Sequence, residues 1–277
     1  MKRRLIQLCA ALLYNLNLKG FAEASIYKGK SKGLCVPGLN CYSCPGAVGS
    51  CPLGTLQNAL SAMDRKLPFY ILGVLLLFGV TMGRTICGFL CPFGLVQELL
   101  FKIPVPKIKK NPVTRELSNV KYVILAVFVI ILPVVFKTVS GLPVPAFCKY
   151  ICPAGTLEGG IPLVLLDESL GGLAGALFHW KVLVLAVLLV SACFVYRSFC
   201  RFLCPLGAIY SLFAPVALLG VKIDRDACID CGRCVRNCKV DIRQVGDREC
   251  IQCGECMKEC NVDAIYWKKP WDMKGKK

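Results

Sequence analysis

Four stretches of the chain contain no charged side chain: residues 67–83, 122–136, 182–196 and 202–221. Such runs suit helices that cross a bilayer, which need about 20 apolar residues, and flanking Lys or Arg can snorkel to extend a shorter run. With an apolar N-terminal stretch, they predict membrane helices over about 5–26, 67–85, 119–137 and 178–197. Run 202–221 reads instead as a short interfacial or re-entrant helix, because Pro205 and Pro215 interrupt it. The N-terminal stretch is ambiguous. Met1-Lys2-Arg3-Arg4 before Leu5–Leu18 imitates a secretory signal, yet Asn15 and Asn17 break its apolar run and Lys19 and Glu23 follow. It reads as a first span, an interfacial helix or a signal. The expected fold is an α-helical membrane domain of about four spans, residues 1–221, followed by a C-terminal α+β two-cluster ferredoxin-like domain, residues 222–277.

Charge adds an orientation. The formal net charge is +17, and residues 222–277 account for 13 basic and 10 acidic side chains, which leaves +14 on residues 1–221. Positive charge beside apolar spans reports sidedness rather than nucleic-acid binding. Lys102, Lys107, Lys109, Lys110, Arg115 and Lys121, against Glu116, put loop 102–121 in the cytoplasm. Residues 138–180 carry only Lys149 as a base, with Glu158, Asp167 and Glu168, and are expected outside. The C-terminal domain is then cytoplasmic. Lys28, Lys30, Lys32, Arg65 and Lys66, in a loop expected outside, run against this scheme.

Twenty cysteines is extreme for 277 residues. Disulfide frameworks belong mainly to small secreted domains, and most spacings here fit metal ligation better. Cys228, Cys231, Cys234 and Cys238 follow C-x2-C-x2-C-x3-C, and Cys250, Cys253, Cys256 and Cys260 repeat it. A [4Fe–4S] cube takes three thiolates from one tight loop and the fourth from the other repeat. One cluster is therefore expected on Cys228, Cys231, Cys234 and Cys260, and a second on Cys250, Cys253, Cys256 and Cys238. Gly232 and Gly254 stand where tight loops profit from permissive dihedrals. Zinc also accepts four thiolates, but its sites usually use pairs of ligands rather than two runs of four.

A second pattern runs through the first domain. Cys-Pro-x-Gly occurs at Cys51–Gly54, Cys91–Gly94, Cys152–Gly155 and Cys204–Gly207, each before a stretch able to form a short helix. In the last three, Cys87, Cys148 and Cys200 lie four residues upstream; Cys41 and Cys44 precede the first. The repetition predicts a quasi-symmetric membrane core. Because i and i+4 share a helix face, Cys87/Cys91 and Cys200/Cys204 are expected to form one inner metal site. Cys41, Cys44, Cys51, Cys148 and Cys152 are candidates for an outer one. Buried inner thiols and outer disulfides are the alternatives.

Cys87–Pro92 and Cys200–Pro205, ahead of a two-cluster domain, resemble the polyferredoxin family of membrane electron-transfer proteins, which includes NapH-type subunits and the C-terminal half of NosR-type proteins. The resemblance covers roughly residues 60–277. It implies four spans, cytoplasmic clusters and electron exchange with a quinone pool or a membrane partner. The third Cys pair and the segment Cys35–Cys51 depart from the simplest form of that pattern, and Lys239 and Asn261 stand where two-cluster ferredoxins usually carry Pro.

Other residues carry less. His179, the only histidine, precedes Trp180 at a span's start, an ordinary interfacial pair. No Cys-x-x-Cys-His for haem is present. Cys9 and Cys193 read as packing residues, Cys35 is unassigned, and the basic tail Lys268–Lys277 reads as solvated or membrane-facing. With no catalytic acid, base or nucleophile constellation in view, the chain reads as an electron-transfer component with two [4Fe–4S] clusters, further clusters in the membrane domain, and a redox protein partner. A redox or iron sensor, and an electron-supplying assembly factor, are the rival readings.

Overall fold

The computed structural model describes residues 2–61, 68–108, 110–140, 144–172 and 174–268. The tail 269–277 lies outside the described residues.

The apolar runs resolve unequally into helices. Two are long and apolar enough to cross a membrane, Pro112–Phe136 and Ala176–Phe194. The first is continuous through a π-helical turn at Leu125–Ile131. The segment expected at 67–85 forms the 13-residue helix Phe69–Thr81; Gly83, at φ +49°, turns the chain directly after it. All three carry apolar residues outward, among them Leu76, Leu77, Val123, Ile130, Leu183 and Val187. Exposed apolar surface of that extent marks a site of contact with a membrane or another protein.

The N-terminal stretch is not one long helix. It forms Lys2–Tyr14, then breaks before the short turn Lys19–Ala22. The two asparagines cause the break. Asn15 Nδ2 donates to Asn40 Oδ1 at 2.9 Å and Asn17 Nδ2 to the Pro45 carbonyl at 2.9 Å, so the chain folds back onto loop 40–46. Run 202–221 forms only Pro205–Phe213, then turns into a strand.

The C-terminal domain is framed by Gly220–Ile223 and Ile265–Lys268, paired antiparallel with Ile223 opposite Ile265. The expected boundary at 221/222 therefore falls inside the first strand. The domain docks through the segment between its two cysteine runs. Glu249 meets Arg84 at 3.1 Å and also bonds the buried Lys121. Asp241 meets Arg115 at 3.2 Å and Arg201 at 3.7 Å.

Candidate iron–sulfur sites

The Cys-Pro-x-Gly unit is a helix start. Cys91 and Cys204 are the N-caps of Pro92–Leu100 and Pro205–Phe213, with ψ of 115° and 110°. Proline costs nothing at the first helical position, where its missing N–H has no partner to lose. It also pushes the residue before it out of helical dihedrals. The glycine amide then turns back onto the sulfur: Gly207 N lies 3.4 Å from Cys204 Sγ and Gly155 N 3.4 Å from Cys152 Sγ. Gly54 and Gly94 make the same contact with Cys51 and Cys91. Each motif thus presents a thiolate at a positive helix end.

This corrects one expectation. The Cys-x3-Cys pairs do not share one helical face. Cys87 and Cys200 lie in Thr85–Phe89 and Ser198–Phe202, while Cys91 and Cys204 lie beyond the break that the following proline imposes.

Six residues after each motif cysteine stands a polar side chain that locks the repeats together in alternating pairs. Gln57 Nε2 donates to Cys148 Sγ at 3.2 Å, and its Oε1 accepts from Phe147 N at 2.9 Å. Gln97 repeats the arrangement with Cys200 Sγ at 3.1 Å and Phe199 N at 3.0 Å. In the third and fourth repeats the positions are Glu158, which accepts from Cys41 N at 2.7 Å, and Tyr210, which donates to the Pro37 carbonyl at 2.8 Å. Gln57 and Glu158 join the first repeat to the third and Gln97 joins the second to the fourth, while Tyr210 reaches instead to the segment ahead of Cys41.

Two four-cysteine sites result. Cys87, Cys91, Cys200 and Cys204 are all buried and face one another as electrostatic neighbours. Cys41, Cys51, Cys148 and Cys152 line a cavity of about 260 Å3 whose wall includes Lys149 and Lys181. Cys44 is not in that lining; its sulfur faces the amides of Gly46 and Ala47.

The two sites differ in charge. Arg84 and Arg197 each stand three residues before the first cysteine of a pair and reach across to the other repeat. Arg84 packs on Gly207 and Arg197 on Gly94, at distances that leave no ordinary room for a side chain there. Arg197 donates through Nε to Glu98 Oε1 at 2.9 Å and through Nη1 to the Cys87 carbonyl. Arg3 Nη1 reaches Glu98 Oε1 at 2.6 Å and the Gly88 carbonyl at 3.1 Å. Burial alone would raise the Glu98 carboxyl, but Arg197 and Arg3 hold it down to about 2. The Cys41 site has no such arginine: Pro145 occupies the equivalent position before Cys148, and buried Glu158 stands close by.

In the C-terminal domain Cys238 lines a cavity of about 150 Å3 together with Cys250, Cys253 and Cys256. Cys260 packs beside Cys234 on the Val221, Val245 and Ile265 cluster. Asn237 Nδ2 donates to Glu259 Oε2 at 2.5 Å and Arg233 Nη1 to Asn261 Oδ1 at 2.9 Å, tying the first run to the end of the second. Gly232 and Gly254 take φ of +67° and +74°, the left-handed region that the tight loops require. Asp230 and Gln252, at matching places in the two runs, are left-handed as well.

The residues fit clusters. Among the described residues no three His, Cys, Asp or Glu side chains close up as a group able to hold a metal ion, whereas zinc at about 2.3 Å from each sulfur needs closely packed thiolates. Cys41, Cys51, Cys148 and Cys152 instead surround one cavity, and Cys238, Cys250, Cys253 and Cys256 line another. All twenty thiols are free. Gln7 is wholly buried on the helix that packs against Thr85–Phe89 and Pro92–Leu100, and neither its Nε2 nor its Oε1 has a partner. A buried amide left so is costly.

The remaining candidates stand apart. His179 Nδ1 lies 3.0 Å from the Gly175 carbonyl, one turn back on its own helix. Cys193 Sγ donates to the Leu189 carbonyl at 3.5 Å, Cys35 Sγ to Thr55 Oγ1 at 3.6 Å, and Cys9 is exposed. Arg84, Arg197, Gln57 and Gln97 tie the repeats together around the cysteines, and the spacing of cysteines alone does not single them out. The signal is present once the repeats are superposed: Arg-x2-Cys-x3-Cys-Pro-x-Gly twice, and Gln six residues after Cys twice.

A family described as a 4Fe–4S binding domain matches residues 50–70, 67–111, 122–161 and 176–225, and each match contains one Cys-Pro-x-Gly. A second 4Fe–4S binding domain matches 221–242. Among curated proteins, the chain is 24% identical over 207 residues to the putative electron transport protein YccM of Escherichia coli, covering 70% of this chain and 54% of that one. It is 26% identical over 199 residues to the methylamine utilization ferredoxin-type protein MauN of Paracoccus denitrificans, covering 70% and 62%. It is 30% identical over 167 residues to the regulatory protein NosR of Pseudomonas aeruginosa, covering 57% and 20%. The chain spans between 20% and 64% of the length of the curated relatives it matches. No solved structure matches it.

Proposed function

We infer the function of this chain from one premise: it belongs to the polyferredoxin-type family of 4Fe–4S binding proteins. It is an iron–sulfur electron-transfer protein. The finer reading is a membrane-bound carrier that passes single electrons between a cytoplasmic redox partner and a quinone pool or membrane partner. Two apolar helices with outward-facing side chains support the membrane location. Clusters take up and release single electrons, with potentials set by nearby charge and hydrogen bonds to sulfur.

Four cluster sites are proposed in this chain. Cys228, Cys231, Cys234 and Cys260 hold the first, and Cys250, Cys253, Cys256 and Cys238 the second. Cys87, Cys91, Cys200 and Cys204 hold the third, and Cys41, Cys51, Cys148 and Cys152 the fourth. The observation that carries the reading is the contact between the ferredoxin domain and the Cys87 site. A Cβ on Gly88 would lie 2.5 Å from the Ile251 carbonyl oxygen, so the residues next to Cys87 and Cys250 touch backbone to backbone. A carrier needs its centres in such a sequence; a sensor does not.

The test is iron and acid-labile sulfide per chain in anaerobically purified protein, with EPR of the reduced state. Four cubes give about sixteen irons per chain. About eight would mean that only the ferredoxin domain is loaded, and the proposal for the two other sites would fall.

A further inference from the structure

Consecutive residues of one loop touch both four-cysteine sites. Leu39 and Asn40 line the cavity of the Cys41 site together with Cys51, while the residue before them, Gly38, lies against Cys91. Consecutive Cα atoms are about 3.8 Å apart, so neighbouring residues of one loop bound both sites. The loop is held there firmly. Leu39 and Asn40 are buried. Asn40 is bonded to Asn15 on the N-terminal helix. The Tyr210 hydroxyl holds the Pro37 carbonyl at 2.8 Å, and its ring stands among Cys87, Cys91 and Cys51. At Gly38 a Cβ would lie 2.9 Å from the Leu90 carbonyl oxygen and 3.2 Å from Cys91 Cα, so glycine is what lets the loop lie against the Cys91–Pro92 step. Leu39, Cys51, Cys87, Cys91, Cys152, Cys200, Cys204 and Tyr210 all belong to one buried core. The sequence placed these two sites on opposite faces of a membrane; the fold gives them a common wall.

We propose that the Leu39–Asn40 peptide, pinned by Tyr210, joins the two four-cysteine sites into one redox-coupled pair, in which the charge state of each centre sets the potential of the other. Leu39 packs in the buried core that holds Cys51 and Cys91, and Asn40 follows it directly in the wall of the Cys41 site. An electron added to one centre raises the negative charge a short distance from the other through a water-free core, where charges interact strongly. The second electron, supplied by the same external one-electron reductant, is therefore harder to add than the first.

The proposal rests on both sites holding clusters, and the experiment separates the two claims. The full chain is purified anaerobically, analysed for iron, and titrated with dithionite while EPR spectra are collected. In the unmodified chain the signal of the Cys87 centre is expected to split or broaden as the Cys41 centre is reduced. Measured singly, in Cys148→Ala/Cys152→Ala for the Cys87 centre and in Cys200→Ala/Cys204→Ala for the Cys41 centre, both midpoints are expected to lie above the second reduction step of the unmodified chain, and the splitting is lost. In Tyr210→Phe, which keeps the ring and frees the Pro37 carbonyl, the iron content is unchanged and the splitting is weaker. About eight irons per chain overturns the cluster assignment and the coupling with it. A full iron load, with no splitting in the unmodified chain or with a second step no lower than the lower of the two single-site midpoints, overturns the coupling alone.

Discussion

Gly88→Val should slow electron transfer between the ferredoxin domain and the Cys87 site while leaving every cysteine in place. The glycine is required by a backbone, not by a flexible neighbour. Its missing Cβ would sit 2.5 Å from the Ile251 carbonyl oxygen, and valine adds two further carbons. Overpacking of this kind costs about 1–3 kcal/mol when the surroundings can shift. Here the segment that must shift carries Cys250 and Cys253. Transfer to the Cys87 centre, followed by stopped-flow absorbance after reduction of the ferredoxin domain, is expected to slow, because the shifted segment lengthens the path between the two centres. Iron content is expected to stay near that of the unmodified chain. Unaltered transfer kinetics in a correctly loaded variant would show that the path does not run through this contact.

Arg197→Leu should have the largest effect on stability. Arg197 is fully buried, at 0% exposure, and its guanidinium joins Glu98 to the Cys87 carbonyl. Its removal leaves Glu98 with Arg3 and Tyr196 and orphans the Cys87 carbonyl. Breaking one partner of a buried pair costs about 3–5 kcal/mol, read as a lower urea midpoint. The lost positive charge should also lower the potential of the Cys87 centre. Arg197→Lys keeps the charge but not the planar fork. It should recover the potential more fully than the stability. Equal recovery of both, or of neither, would refute the assignment of separate charge and geometric roles. The same network has a pH signature. The Glu98 carboxyl is depressed to about 2 in the folded state, so its contribution is complete above the unfolded carboxyl range near 4.5 and is lost as pH falls towards 2. Acid unfolding of the Glu98→Gln variant should lack that component.

Chemistry was more legible in the linear sequence than geometry. The two C-x2-C-x2-C-x3-C runs and the four Cys-Pro-x-Gly motifs are local, and local spacing is visible in a chain. Gly232 and Gly254 were readable for the same reason, since the left-handed turn is a demand on one residue. The i, i+4 reading of Cys87/Cys91 went wrong because helical spacing was applied across a residue that precedes proline. Cys44 entered the outer candidates by proximity in sequence to Cys41, but its sulfur turns to its own loop. Asn15 and Asn17 left the N-terminal run open to three readings, because the partners that fold it back, Asn40 and Pro45, lie more than 20 residues away. Arg84 and Arg197 carry the same difficulty further, since each finds its glycine in a different repeat over 100 residues distant.

The alternating pairing of the repeats also has a consequence for how the protein is made. The Cys41 site draws on residues 41–57 and 147–158, and the Cys87 site on residues 84–97 and 197–210, so the two sets of strands in the chain's history overlap. During synthesis the Cys41 set is complete once Glu158 has emerged, while half of the Cys87 set is still unmade. The Cys87 set closes next, and the ferredoxin runs close last, with Cys260. Metal insertion can therefore proceed in that order, from the first site to the last. A single cut anywhere in residues 98–146 would leave both membrane-domain sites divided between the fragments, so that neither fragment holds a complete set and both sites depend on the fragments finding each other.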